Sequence, residues 1–155
     1  MTNLNFETRM PCSQQKLWEF HSSSEALHSL SPPLTKVQLK GELKVINGAK
    51  LEVRSTILGV INQDWEVELL NVDPPNGFTD RAIKSPFLEW SHNHLFRVDG
   101  ETSVLRDELS FTAPGGAPGR LASILIVTLL FKFRHLRTKA LVSQPSKTPS
   151  PTGSR

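Results

Sequence analysis

The sequence predicts an α+β fold in which a curved, seven-stranded antiparallel sheet surrounds one long C-terminal helix, with two short helices after the first strand. Three observations predict it. Residues 34 to 113 form alternating apolar and polar runs with no helical periodicity, the dipeptides Asn47-Gly48 and Asp99-Gly100 punctuate them, and Leu121 to Phe133 is almost wholly apolar. Strands joined by tight turns are antiparallel, and a helix that is apolar on nearly every side is one enclosed by its neighbours.

The elements follow in order. Leu4, Phe6 and Thr8 alternate with polar positions and make a first strand that Pro11 closes. Ser13 is placed to cap a helix over Gln14 to His21, whose stripe is Leu17, Trp18 and Phe20. Ser22-Ser-Ser24 caps a second short helix carrying Ala26, Leu27 and Leu30, and Pro32-Pro33 ends it because proline lacks the amide donor. Strands are then predicted over Leu34 to Lys40, Lys50 to Gly59, Gln63 to Val72, Gly77 to Ser85, Phe87 to Val98 and Thr102 to Ala113. Asn-Gly and Asp-Gly accept the positive φ of primed hairpin turns. After Pro114-Gly-Gly-Ala-Pro118, the segment from Gly119 to about Leu141 is helical. Its apolar stretch of thirteen residues spans about 20 Å, short of the roughly 30 Å hydrocarbon core, so a buried helix is expected rather than a membrane span.

A chain of 155 residues suits one domain, placed at 1–141, followed by a Ser/Thr/Pro-rich tail over 142–155 that is expected to be disordered. The net charge of +3 is unevenly spread: residues 109 to 155 hold seven Lys/Arg and no Asp/Glu. Without interleaved aromatics or a groove-reading motif, this basicity does not indicate nucleic-acid binding. The first ten residues contain Glu7 and no apolar run, so they do not read as a secretory signal. The single cysteine, Cys12, rules out an internal disulfide and fits a reducing compartment. A cytoplasmic location is expected, with no obligate protein partner.

Strand alternation identifies candidate site residues, because i and i+2 share a face. In Phe87 to Val98 one face carries Leu88, Trp90, His92, His94, Phe96 and Val98, and the opposite face carries the charges. In Thr102 to Ala113 the apolar face holds one carboxylate, Asp107. The hairpin at Asp99-Gly100 makes these strands neighbours, with Asp107 facing His92 directly or His94 diagonally. Trp65 with Val67 and Leu69, and Phe78 with Ala82, form further inward faces, and Asp80 is a second inward carboxylate on a less distinct pattern.

The order of elements, with Ser85-Pro-Phe-Leu-Glu-Trp-Ser-His-Asn-His-Leu-Phe96, Thr102 and Asp107, resembles a bacterial branch of the START-like, polyketide-cyclase-like (SRPBCC) superfamily. Ser85 stands where that branch commonly has glycine. The resemblance spans about residues 3 to 141 and implies a helix-grip fold that holds a hydrophobic molecule between sheet and helix.

The primary expectation is therefore a binding or carrier module for an apolar small molecule or lipid, with Trp65, Phe78, Trp90, His92, His94, Phe96 and Asp107 around the ligand and no cofactor. The alternative is a cyclase or dehydratase in which His92 and His94 act as acid-base groups with Asp107. His92, His94 and Asp107 also have the composition of a two-histidine, one-carboxylate metal site, but a hydrogen-bonded core network explains the same residues with less, so no metal is expected. Lys132, Arg134, Arg137 and Lys139 beside the apolar helix suggest a weak membrane-surface contact.

Overall fold

A computed structural model describes residues 1–144; the expected disordered tail lies, beyond Gln144, outside the described residues. The chain runs β1 (Thr2–Met10), α1 (Gln14–His21), α2 (Ser24–Ser29), β2 (Thr35–Lys40), β3 (Lys50–Ile57), β4 (Ile61–Asp73), β5 (Gly77–Lys84), β6 (Glu89–Asp99), β7 (Thr102–Thr112) and α3 (Gly116–Val142). All seven strands join one antiparallel sheet in the order β1-β7-β6-β5-β4-β3-β2. The first strand thus pairs with the last and forms one edge of the sheet, whose curvature gives it a hollow side.

Local chemistry sets the helix ends. The Ser13 side chain accepts the Lys16 backbone N–H at 3.2 Å, and Ser23 does the same for Ala26 at 3.4 Å. At the start of α3, a Cβ on Gly119 would run into the Pro114 carbonyl oxygen, so the turn into the helix requires glycine there. Gly77, at φ +149°, similarly lets β5 lie against the His94 carbonyl.

The hollow side has two halves. Under α1, Leu17 and Trp18 pack on Leu51, Leu69, Phe78 and Phe96, which closes that half of the sheet. Under α3, Val127 and Phe131 pack on Trp90, Leu109 and Phe111. Among the strands α3 leans chiefly on β1, so it leaves the inward faces of β3, β4 and β5 partly uncovered.

Two expectations are corrected. The helix is buried on one face only, through Val127, Phe131, His135, Thr138 and Val142, while Leu121, Leu125, Ile126, Leu129 and Leu136 stay 60–71% exposed. The reason is its seat at the β1 edge: the sheet does not curl fully around it. At 27 residues it is also long and apolar enough to cross a membrane by length and composition, which the shorter apolar core did not suggest. The second correction concerns Asn47-Gly48, which is not a two-residue hairpin. Residues 41–49 form a longer connection fastened to β4, the Asn47 side chain accepting the Val72 N–H at 2.8 Å and the Gly48 N–H donating to Leu69 at 2.7 Å. The edge of β4 satisfies backbone groups that a tight turn would have paired locally.

Candidate functional site

The hairpin loop Gly100-Glu101 pairs Asp99 with Thr102 and so sets Asp107 opposite His94 and Leu109 opposite His92. Alternation then turns Trp90, His92, His94 and Phe96 inward on β6, and Ser103, Leu105, Asp107, Leu109 and Phe111 inward on β7, all buried. Leu88 and Val98, expected on the same face, lie at the strand ends and are exposed.

The polar members form one continuous network. His92 Nε2 lies 2.9 Å from Asp107 Oδ1, and His92 Nδ1 lies 3.2 Å from Asp80 Oδ2. Two ionised carboxylates offer only acceptors, so both nitrogens of His92 donate and the ring is an imidazolium. Burial alone would push this imidazole down, but Asp80 and Asp107 on either side outweigh it and raise it to about 9. The same contacts act in reverse on the acids. Burial would raise Asp80, yet the charge and hydrogen bond of His92, with the hydrogen bond of His94, hold it far below the usual carboxylate range. Asp107 is likewise held low against its burial, by His92 and by His135, whose Nε2 donates to Asp107 Oδ2 at 2.8 Å. The other nitrogen of His135 lies 2.8 Å from the Thr8 hydroxyl on β1.

His94 donates from Nε2 to Asp80 Oδ2 at 2.8 Å. Its burial and the neighbouring His92 charge lower its pKa, leaving a neutral ring whose Nδ1 has no hydrogen-bond partner among the described residues. That nitrogen faces Asp107 Oδ1 at 3.6 Å. Asp107 therefore stands opposite His94 in the ladder, where the expected register put His92, and of the two histidines it bonds the diagonal neighbour His92. The imidazole of His92 reaches across the pleat, with its ring edge-on to Phe131 at 4.9 Å. His21 of α1 completes the cluster: its ring is 6.2 Å from that of His94, Nδ1 bonds the Leu17 carbonyl, and burial with the nearby His94 lowers its pKa to about 3.

Asp80 is the network's outlet. Its side chain retains 19% exposure, against 3% for His92 and 6% for Asp107. Oδ1 accepts the Trp90 indole N–H at 3.2 Å. Beyond it lies the uncovered part of the sheet, where Val53, Trp65, Val67 and Ala82 are only half-buried. Trp65 and Ala82 pack in one cluster with Ile124 and Leu130 of α3, and Trp65 meets Trp90 edge-on at 5.4 Å.

The sequence-selected residues thus separate into three places. Trp65 and Trp90 lie at this uncovered part of the sheet, whereas His92, His94 and Asp107 lie inside the network. Phe78 and Phe96 pack on Trp18 in the closed half of the core, with ring centroids 6.0 and 6.3 Å away, apart from that uncovered part. Two surface hollows, of about 140 and 380 Å³, lie on β2 to β5 and at the start of β2, and neither is lined by the histidines, Trp90 or Asp107. The enclosed void expected beside the histidines is not among them; the space there is filled by Phe131, Leu109 and the histidine rings themselves. Sequence reading missed His135 and His21. The spacing Val127, Phe131, His135, Thr138, Val142 follows one helical face and could have flagged His135; His21, one residue past the apolar stripe of α1, offers no such signal.

The oxygens and ring nitrogens of Asp80, His92 and His94 lie within 4.8 Å of one another. Asp107, the carboxylate expected to complete a facial set, is not the member of this group. A protonated His92 offers no lone pair to a cation, so the geometry favours the hydrogen-bonded network over an ion site.

No protein-family profile matches the chain, and no curated protein is detectably similar in sequence. Solved structures are similar in fold. Protein CV1439 from Chromobacterium violaceum superposes with a TM-score of 0.79 at 10% identity over 94% of this chain and 100% of its own. Ara h 8.0201 gives 0.69 at 13% identity, covering 92% and 97% of the two chains. Norcoclaurine synthase from Thalictrum flavum, solved with dopamine and hydroxybenzaldehyde, gives 0.71 at 16% identity, covering 94% and 89%. The chain has the helix-grip fold. At such identities the likeness establishes architecture and not activity.

Proposed function

We propose that the chain, as a member of the SRPBCC superfamily, is a binding module for an apolar small molecule that lies in the cleft between β3–β5 and α3. The observation that carries this reading is the only partly covered apolar floor of Val53, Trp65, Val67 and Ala82 beside the one carboxylate of the network that keeps some exposure, Asp80 at 19%. A few polar groups converging on an otherwise apolar concavity is the usual make-up of a ligand site. Asp80 Oδ1 accepts one hydrogen bond, from Trp90, and keeps lone-pair capacity. It therefore suits a ligand with an apolar body and one donor, a hydroxyl or a protonated amine. The buried histidines fix the carboxylate in its charged, oriented state and need not touch the ligand. This revises the ligand-facing set to Trp65, Ala82, Trp90 and Asp80.

The cyclase or dehydratase alternative is less well supported. The free lone pair that a general base would use is His94 Nδ1, and it points at Asp107 inside the core rather than at the cleft.

Nile red, a neutral apolar fluorophore, tests the cleft. Saturable binding with a blue-shifted emission and one site per chain is expected. Ala82→Trp, which fills the cleft floor, is expected to weaken it at least tenfold with an unchanged far-UV circular dichroism spectrum. Leu125→Gln with Leu129→Gln, on the outer side of α3, is expected to leave it unaltered. Equal affinity in wild type and Ala82→Trp would reject the assignment.

A further inference from the structure

The geometry points to a second, separate surface: we propose that the outer face of α3 docks on an anionic lipid bilayer, lying in its plane rather than crossing it. Leu121, Leu125, Ile126, Leu129 and Leu136 are each 60–71% exposed. At about 100° per residue they fall in one arc of roughly 140°, on the side away from the buried residues Val127, Phe131 and Thr138. Lys132 and Lys139 fall on one edge of that arc, and Arg137 lies just beyond the other. An apolar stripe flanked by basic residues is the form taken by helices that sit at the boundary between headgroups and acyl chains, because long basic side chains reach back to the phosphates.

Charge complementarity selects the partner. Residues 109–144 contain five Lys/Arg and no Asp/Glu, whereas residues 1–108 carry fifteen acidic against eleven basic residues. The positive charge is therefore gathered on the helix that bears the exposed leucines. Further exposed apolar residues lie at the end of the sheet where α3 begins. The pairings Ile57 with Ile61 and Glu89 with Thr112 bring the β3–β4 turn and the approach to β6 to that end, and Leu58, Val60 and Leu88 are exposed there. Leu58 is held at φ 53°, an unfavourable conformation for leucine, with its N–H bonded to the carbonyl of Leu34, itself at φ 66°.

The helix has the length and composition of a membrane span, but its other face is committed to the protein interior. His135 bonds Asp107, and Phe131 packs on Phe6 and His92. Crossing a bilayer would require dismantling that core, whereas lying on the surface leaves it intact.

Sedimentation of the full 155-residue chain with vesicles of phosphatidylcholine, with and without phosphatidylglycerol, tests the proposal. Binding is expected to the phosphatidylglycerol vesicles and to fall as salt is raised. Lys132→Gln with Lys139→Gln is expected to weaken it roughly twenty-five-fold, at about fivefold per charge near the surface. Leu125→Gln with Leu129→Gln is expected to abolish it while Nile red binding in the cleft is retained, so this reading and the cleft reading fail separately. Equal binding to both vesicle types, or unchanged binding by the leucine variant, would overturn the proposal. So would a dimer in sedimentation velocity that the leucine variant dissolves, because the face would then be covered by a second copy of the chain.

Discussion

Replacing Asp107 with alanine is expected to lower the unfolding free energy by about 3 to 5 kcal/mol, the range typical of removing one partner of a buried ion pair. Asp107 is 4% exposed and anchors two histidines from different elements, His92 on β6 and His135 on α3. Its loss leaves the buried His92 imidazolium facing one carboxylate instead of two, and leaves a buried N–H of His135 without an acceptor. The penalty arises from the desolvated groups left behind, not from the intrinsic worth of the contacts. Asp107→Asn keeps the shape and one acceptor but not the charge, and is expected to recover part of the loss. Urea unfolding of the three proteins at pH 7 measures the difference. A change below about 1 kcal/mol for Asp107→Ala would mean that His92 is not held as a cation.

The second large effect is on pH. His92 has its folded pKa raised from 6.5 to about 9, so its contribution is complete below pH 6.5 and is lost as pH rises through about 9. The gap corresponds to about 3 kcal/mol. His21 and His94 act in the opposite direction. Both are lowered from 6.5, His21 to about 3, so below pH 6.5 the unfolded chain binds protons that the folded chain refuses, and stability falls. Below pH 3.8 the depressed Asp80 and Asp107 add to that loss. Stability is therefore expected to peak near pH 6.5 and to decline on both sides. Urea midpoints measured from pH 4 to pH 9.5 trace the curve, and His92→Gln is expected to flatten the alkaline arm. A wild-type curve level between pH 6.5 and 9 would contradict the assignment of the buried charge.

Much of this arrangement is legible in the sequence because strand alternation is a strict geometric rule. Trp90, His92, His94 and Phe96 on one strand and Asp107 on the next are brought to one face by period two and a two-residue turn. What alternation cannot supply is the choice of rotamer. His94 sits opposite Asp107, yet it is His92 that reaches diagonally to it, because Asp80 from β5 accepts the Nε2–H of His94. Asp80 looked ambiguous in sequence because the alternation in β5 is diluted by Arg81 and Ile83 on the other face. The histidines of α1 and α3 join the network only through long-range packing, which local pattern does not encode. The helix misled for a related reason: apolar residues all round α3 imply that every face has an apolar neighbour, not that the neighbour belongs to the same chain.

Those uncovered faces shape the functional reading. One side of α3, through Ile124 and Leu130, packs against the cluster that Trp65 and Ala82 also join, and the other presents leucines outward. The network's interlocking hydrogen bonds hold Asp80 ionised beside the uncovered strands.

Indole N–H correlation spectra of the protein titrated with Nile red separate the proposed cleft from the closed half of the core, since two of the three tryptophans report on the first and one on the second. The account predicts progressive shifts for Trp65 and Trp90, which border the cleft, and a stationary signal for Trp18, which is packed in the closed half against Phe78 and Phe96. Movement of Trp18 with Trp65 and Trp90 unchanged, or no movement of any indole at saturating probe, would contradict it.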